Sequence, residues 1–436
     1  MILTDILQVI YAPQKAFKKI VENPKYLGAL IILILFVGIQ LGYEYSQISK
    51  TQIEQTSPPI NTLGTFTNAT MWTTPSNSTL SNNFSDYFNY TIYQAGYGYY
   101  PALFNNNSLQ ITAANADTVT SRLDITAALT SINNSMPNII NSLTVDCSAE
   151  TGFQNLSMTI KQVAPSTAPQ SSTLILYSSS DSNFYIYDLT STLSSITTNG
   201  EWNNYTIPVG PNAPGWASNG SPSWGNITAL TLACTYPTGS NVNLEVGALF
   251  FRGQYQTLIQ LNSTGFILNF LQQFALQFLF TWFLTTGLIY VFFKGLKAQI
   301  TWKPIFIAIG MTLFVLVIRA LINLVATATF PTVYYTFDAW PGLSLTPYGT
   351  IFYPTGLETT LFAQSQVSLA TIASQTEIFA SVTVSIFFLS YVWIASLAAI
   401  AIGTLKPDFS ILKRIAIAAV SVGVTVLLLL LLGVGA

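Results

Sequence analysis

Arg319 is the one strongly charged residue well inside a long apolar stretch of this chain, and a guanidinium in hydrocarbon requires acceptors or a counter-charge within reach. Asn323 follows one helical turn later on the same face, and Asn269, Gln273 and Gln277 recur at four-residue steps on the preceding apolar stretch. At 1.5 Å per residue Arg319 lies about 22 Å, and Gln277 about 24 Å, from the basic ends of their stretches. The spacing predicts two packed helices with the amides against Arg319, and with Glu377 meeting the guanidinium if it snorkels outward. Such a cluster has two uses: interhelical glue, or a polar path for an ion or solute.

Few other residues offer chemistry. Histidine is absent from all 436 residues, which removes imidazole bases, the usual catalytic triads and most zinc sites. No pair of carboxylates stands in a motif for glycoside hydrolysis, so neither an enzyme nor a cofactor is expected. Cys147 and Cys234 are the only cysteines, and on segments outside the cell they predict one disulfide; two free buried thiols are the alternative. Asn-x-Ser/Thr triplets begin at Asn68, Asn77, Asn83, Asn89, Asn106, Asn133, Asn155, Asn204, Asn219, Asn226 and Asn262. Each is a glycosylation acceptor if it faces outward, though so Asn-, Ser- and Thr-rich a region generates some triplets by chance.

The elements that must position these groups follow from composition. Half the residues are apolar and only 7% are charged, unlike an ordinary soluble protein. The net charge of -2 leaves no basic surface for nucleic acid. Five stretches are long enough for a roughly 30 Å hydrocarbon core: 26–41, 266–293, 304–328, 378–403 and 415–433. About 25 residues precede the first and no small-x-small site follows it, so it reads as an uncleaved anchor. Lys15, Lys18, Lys19 and Lys25, then Lys294, Lys297 and Lys303, then Lys406, Lys413 and Arg414 all fall on one side, while 329–376 holds no Lys or Arg. That places the N-terminus in the cytoplasm and the long insertion and C-terminus outside.

The first 25 residues read as a broken amphipathic helix on the inner membrane face. Ile6, Val9, Ile10, Phe17, Ile20 and Val21 form its apolar side, Pro13 starts its second half and Pro24 ends it. Residues 42–139 are rich in Ser, Thr, Asn and Tyr without a clear period: a glycosylated stalk, or strands that complete the next domain. From 140 to 255 short β-rich runs alternate with turn residues, at 143–147, 157–163, 173–177, 184–189, 202–209, 227–236 and 242–251. Leu230, Leu232, Cys234 and Tyr236 share one face, as do Val242, Leu244, Val246 and Ala248, which predicts antiparallel strands of a sandwich.

Tyr11-Ala-Pro-Gln-Lys-Ala-Phe-Lys-Lys-Ile20-Val-Glu-Asn-Pro24 before an apolar span resembles the opening of the Yip family of five-span membrane proteins. Lys294-Gly-Leu-Lys297, Trp302-Lys-Pro304, Phe330-Pro331 and Trp393 extend the likeness over 1–42 and 264–436. It implies a membrane scaffold without catalytic residues, in a family associated with small GTPases and vesicle traffic. The large insertion departs from that pattern. Trp224-Gly-Asn-Ile-Thr-Ala-Leu-Thr-Leu and Asn243-Leu-Glu-Val-Gly-Ala-Leu-Phe-Phe251 resemble the closing strands of jelly-roll carbohydrate-binding modules. The expected fold is therefore a membrane all-α bundle of five helices plus an extracytoplasmic all-β sandwich, jelly-roll-like, inserted between spans one and two.

Sugar binding would use aromatic faces on pyranose rings and polar groups on hydroxyls. The candidates are Trp202, Trp216 and Trp224 with Asp181, Asp188 and Glu201; burial of the tryptophans in the core is the competing expectation. Those carboxylates lie in no recognisable metal loop, and no metal is expected. A charge-poor, glycosylated exterior without histidine suits the surface of an archaeon in hot acid, where carboxylates are neutralised and neutral hydrogen-bonding groups persist. The expected function is a non-catalytic scaffold or anchor in the bilayer whose domain binds envelope glycans or surface proteins. Its rival is a transporter or channel component with a polar path near Arg319.

Overall fold

The computed structural model describes residues 2–74, 78–84, 108–136, 142–148, 151–194, 200–336, 344–345, 351–352 and 363–432. The chain begins with α1 (Ile2–Tyr11), α2 (Pro13–Glu22) and α3 (Leu27–Lys50), then β1 (Thr51–Ser57), β2 (Trp72–Thr73), β3 (Ser78–Asn83), β4 (Ser108–Asp124) and α4 (Ile125–Ser135). Next come β5 (Asn155–Ala164), β6 (Ser171–Ser178), β7 (Ser180–Asp188), a short α5 (Thr190–Leu193), β8 (Asn203–Pro208), β9 (Trp216–Asn219) and β10 (Ile227–Thr257). The rest is α6 (Leu258–Gly295), α7 (Trp302–Thr312), α8 (Phe314–Ala326), β11 (Val333–Tyr335), α9 (Ala363–Leu405) and α10 (Ile411–Leu431).

Among the described residues five helical segments are long and apolar enough to cross a bilayer: Leu27–Lys50, Ile267–Gly295, Trp302–Thr329, Ala370–Leu405 and Ile411–Leu431. The third is 78% buried against 33–44% for the others, so it is the central helix of the bundle. It is broken at Leu313, where the Thr312 hydroxyl donates to the Ile309 carbonyl at 2.7 Å and competes with the helical ladder. The outer helices turn Ile34, Leu268, Val291, Val384, Leu389 and Leu431 to the surrounding medium, a belt that water would penalise and lipid would cover.

The N-terminal pair departs from the expected helix lying flat on a membrane. Pro13 does begin α2, and Ile6, Val9, Phe17 and Ile20 are buried. They are buried against protein: α2 packs on α9 and α7, and α1 on α2 and α3. The apolar stripe is one wall of the bundle core.

The β region is larger than 140–255. β4 and β10 are long antiparallel partners shared by two halves. One half runs β2, β4, β10, β6, β7, β9, and the other β3, β4, β10, β5, β8. The pair bends where the register shifts between Thr235 and Ser240, with Asn115 and Gly239 at φ 52 and 84, which a bulge requires. Leu174, Leu176 and Leu232 of the first half share one core with Leu156, Ile160 and Val246 of the second, so the folded sheet makes a sandwich. Of the run 143–147 only an isolated bridge between Val145 and Ile227 forms.

The predicted inward faces of β10 hold until Ala248. There φ is 45 and the register slips between Gly247 and Phe250, which moves Leu249 and Phe251 into the core in place of Ala248. At its end β10 pairs with β1, Gln52 opposite Thr257, and each passes without a loop into a long helix. The Thr257 backbone N–H donates to the Gln260 side chain there at 3.0 Å, one half of a capping box. β11, arriving after α8, adds in parallel to β1. The sheet therefore grows directly out of the first three spans.

Both cysteines are free and buried, which corrects the expected disulfide. Cys147 sits beside Trp224, whose carbonyl accepts its backbone N–H at 2.7 Å. Cys234 lies seven residues beyond Ile227 along β10, about 23 Å at the rise of a strand, whereas a disulfide needs Cα atoms within about 7 Å. Burial pushes the Cys234 thiol up to about 11, against a lowering contact from the Ser172 hydroxyl at 3.6 Å. Burial first, and the Asp146 charge second, raise Cys147 above its ordinary value. Both thiols should resist a thiol reagent in native buffer and react in denaturant without prior reduction. A chain that reacts in denaturant only after reduction would restore the disulfide.

Candidate functional site

The outer face of β10, β6 and β7 is built by strict alternation. Leu174, Leu176, Tyr185, Leu230 and Leu232 point into the core, so their neighbours Thr173, Ile175, Tyr177, Phe184, Ile186 and Asp188 point out. The register sets Tyr177 opposite Phe184 and Ile175 opposite Ile186, with Asn219 of β9 completing the first row. Tyr177 and Phe184 lie 5.7 Å apart and tilted by 57°, and both are half-buried. The Arg122 guanidinium stands 4.4 Å over the Tyr177 ring and donates to Asp181 at 2.6 Å. The result is an apolar ribbon, two aromatic rings and two aliphatic chains, rimmed by Arg122, Asp181, Asp188 and Asn219. Such a face offers stacking surface with hydrogen-bonding groups at its margin.

The predicted glycan set is divided by the fold. Asp181 and Asp188 border this face, but Asp188 is already engaged. It accepts the Thr190 N–H at 2.8 Å, and the Thr190 hydroxyl and N–H hold its carboxyl below the usual range. Trp216 and Trp224 go to the sandwich edge. Trp224 is 9% exposed and stacks on Tyr185 at 3.9 Å and 13°. Trp216 meets Trp224 at 5.3 Å and Tyr187 at 5.0 Å, and its indole donates to the Pro208 carbonyl at 2.7 Å. Burial raises the Tyr185 phenol, which donates to the Pro222 carbonyl at 2.9 Å. These tryptophans serve packing first. Trp202 and the exposed Glu201 belong to the other half, with Lys161 5.6 Å from the Trp202 ring centre.

Tyr177, Phe184 and Arg122 were not legible as a site. One signal was present: the run 173–177 is apolar on both faces, more than one buried side needs. The acceptor asparagines scatter over the domain. Asn68 begins a short helical turn, Asn83 donates to Glu245, Asn204 accepts from Thr159, Asn219 donates to the Ser182 carbonyl and Asn226 donates to Ser179. Asn155 lies on β5, Asn133 within α4 and Asn262 within α6. Asn77, Asn89 and Asn106 lie outside the described residues.

Between the helices, the expected pairing of Arg319 with span two does not form. Arg319 is buried, with its guanidinium 5.2 Å from the Phe387 ring centre and 5.9 Å from that of Tyr391, and its Nε and Nη1 have no acceptor. Gln273, Gln277 and Asn323 are buried as expected, but none bonds to it. The reason is placement: α3 packs against both α6 and α8. Asn269 and Glu377 are exposed. The residues missed here are Gln40, Tyr43, Glu44 and Gln47 of α3, all buried; the first span is read as ending at Leu41 because apolarity ends there, yet the helix continues to Lys50. Among the described residues no group of three His, Cys, Asp or Glu could hold a metal.

No family model and no curated protein matches this chain. Among solved structures, a family 11 carbohydrate-binding module from Clostridium thermocellum, bound to a mixed-linked tetrasaccharide, is 11% identical with a TM-score of 0.24 and covers 45% of this chain and 94% of that one. The CBM22-1 xylan-binding domain from Paenibacillus barcinonensis is 12% identical, TM-score 0.19, over 42% of this chain and 83% of that one. A tailspike domain of bacteriophage CBA120 is 10% identical, TM-score 0.22, over 43% of this chain and 20% of that one. At such TM-scores none of these likenesses carries weight for what the chain binds.

Proposed function

We propose that the chain is a non-catalytic membrane anchor whose β domain, held outside the cytoplasm, binds neutral polyhydroxylated polymers such as envelope glycans. One observation carries the binding half: the outward Tyr177–Phe184 and Ile175–Ile186 ribbon with its polar rim. The apolar helices and the Lys and Arg groups at the bundle end remote from the sheet support the anchor and its orientation. Lys50 is the exception at the sheet end. Its ammonium donates to the Thr327 and Phe330 carbonyls at 2.7 and 2.8 Å, so it caps a helix end rather than marking topology.

The test is binding of full-length protein in nanodiscs to an array of neutral polysaccharides. Tyr177→Ala and Phe184→Ala should each weaken binding about tenfold, the loss of roughly 1.4 kcal/mol of ring contact. Trp216→Ala should lower the melting temperature and spare affinity. Unchanged binding in both ring variants, or no binding by the parent chain, would sink the reading.

A further inference from the structure

Between α9 and α10, with α2 at one end, lies a groove of about 1110 Å³. Small residues open it. Ala395, Ala399 and Gly403 recur at four-residue steps on its α9 wall, and Ala419 and Gly423 do so on its α10 wall. A Cβ built on Gly423 would meet nothing within 4 Å. Val392 and Ile415, also on the walls, are exposed, so the groove opens sideways to the medium around the bundle. By helical rise it runs about 22 Å along α9, from Gly403 back to Phe388, and about 18 Å along α10, from Arg414 to Val426. One leaflet of hydrocarbon is about 15 Å deep. An extended hydrocarbon chain suits both that length and that lining.

The mouth is of opposite character. It lies at the bundle end remote from the sheet, where Arg414 of α10 and Gln14 and Lys18 of α2 line the same groove. The chain's own backbone holds Arg414: its Nε donates to the Phe409 carbonyl at 2.7 Å and its Nη2 to the Pro407 carbonyl at 2.5 Å. Those bonds lay the guanidinium across Gly403, where a Cβ would come within 2.6 Å of Nη1. Among the described residues Nη1 has no acceptor, and the exposed Lys18 makes no ion pair. Asp408, the one carboxylate of the α9–α10 turn, is 81% exposed and faces Lys406 at 3.7 Å. A guanidinium fixed in place with donors to spare, beside an ammonium, matches a phosphate group, and basic pockets between spans on the cytoplasmic side are where anionic headgroups settle.

We propose that this groove binds one anionic phospholipid from the leaflet at that bundle end, with its phosphate on Arg414 and Lys18 and a hydrocarbon chain along Ala399, Gly403 and Gly423. A zwitterionic lipid would bring its own cation to the same two positive groups, so the site selects net negative charge. A second copy of the chain, turned groove to groove in the same membrane, would set its Lys18 and Arg414 at the level of these, which like charges oppose. The proposal rests on the membrane half of the function given above and is independent of glycan binding.

The test uses full-length protein in phosphatidylcholine vesicles titrated with phosphatidylglycerol. Native mass spectrometry after mild detergent extraction counts the lipid retained, and flotation of the vesicles reports insertion separately. The parent chain should float and retain one phosphatidylglycerol in preference to phosphatidylcholine at equal amounts. Lys18→Gln should weaken retention about fivefold and Arg414→Gln at least about tenfold. Gly423→Leu, which fills the groove without touching a charge, should release the lipid. Lys297→Gln removes a cation from the α6–α7 turn at the same bundle end and should change nothing. Lys18 is exposed, so its variant decides the matter if Arg414→Gln does not fold. A floating parent chain without preference for phosphatidylglycerol, retention unchanged in Lys18→Gln and Gly423→Leu, or a dimer that Gly423→Leu dissociates, would overturn the proposal. A chain that does not float would overturn the anchor reading beneath it.

Discussion

Gly310→Val should abolish the native bundle, with the melting midpoint lowered by at least the equivalent of about 3 kcal/mol or no monodisperse protein recovered. Gly310 faces Trp282 so closely that a Cβ would lie 2.6–2.7 Å from three indole atoms. The notch holds a ring that does much of the packing between α6 and α7. Trp282 stacks on Phe306 at 4.2 Å and 18°, meets Phe278 edge-on at 6.0 Å, and donates its indole N–H to the Phe306 carbonyl at 2.6 Å. A side chain at 310 must expel the indole, so overpacking and the loss of a buried hydrogen bond act together. Gly287→Ala is the control: nothing lies within 4 Å of that site, and alanine should be neutral or stabilising by up to about 1 kcal/mol. If Gly310→Val melts with the Gly287→Ala protein, the notch does not position the helix pair.

Arg252→Leu is expected to be almost as damaging, by about 3–5 kcal/mol. Arg252 of β10 grips Glu54 of β1 through two hydrogen bonds, Nε to Oε1 at 2.8 Å and Nη2 to Oε2 at 3.0 Å. The Glu54 side chain is 2% exposed and that of Arg252 20%. Replacing the arginine takes the guanidinium from a carboxylate that water scarcely reaches, at the strand pair that leads into α3 and α6. The double variant Glu54→Gln, Arg252→Leu should recover most of the loss, since the penalty is that of a buried charge without its cation. Equal melting temperatures for the single and double variants would show that the charge itself is not what matters there.

Sequence alone determined the number, order and approximate positions of the five apolar helices. A span is a sum of local apolarity over a fixed thickness, and no distant residue can change that sum. It likewise determined the start of α2 at Pro13 and the inward faces of β10 from Leu230 to Val246, because period and turn chemistry are local. It left open whether the Ser-, Thr- and Asn-rich region holding Thr51–Ser57 and Ser108–Asp124 is a stalk or supplies strands to the sheet, as these two segments do. Their polar, weakly periodic residues become strands only by pairing with β10, more than a hundred residues away in the chain.

Tertiary structure decided everything that depends on what lies across from a residue. Register placed Cys147 and Cys234 at separate levels, turned Tyr177 and Phe184 outward together, and sent Trp216 and Trp224 to the sandwich edge. The Ala248 bulge exchanged the faces of the last strand turns, which alternation read from sequence cannot foresee because it assumes an unbroken period of two. Helix neighbours were equally out of reach. Depth along a span follows from counting residues, but the side of the helix that meets another depends on packing of all five, and packing put α3, with Glu44 and Gln40, between Arg319 and the amides of α6.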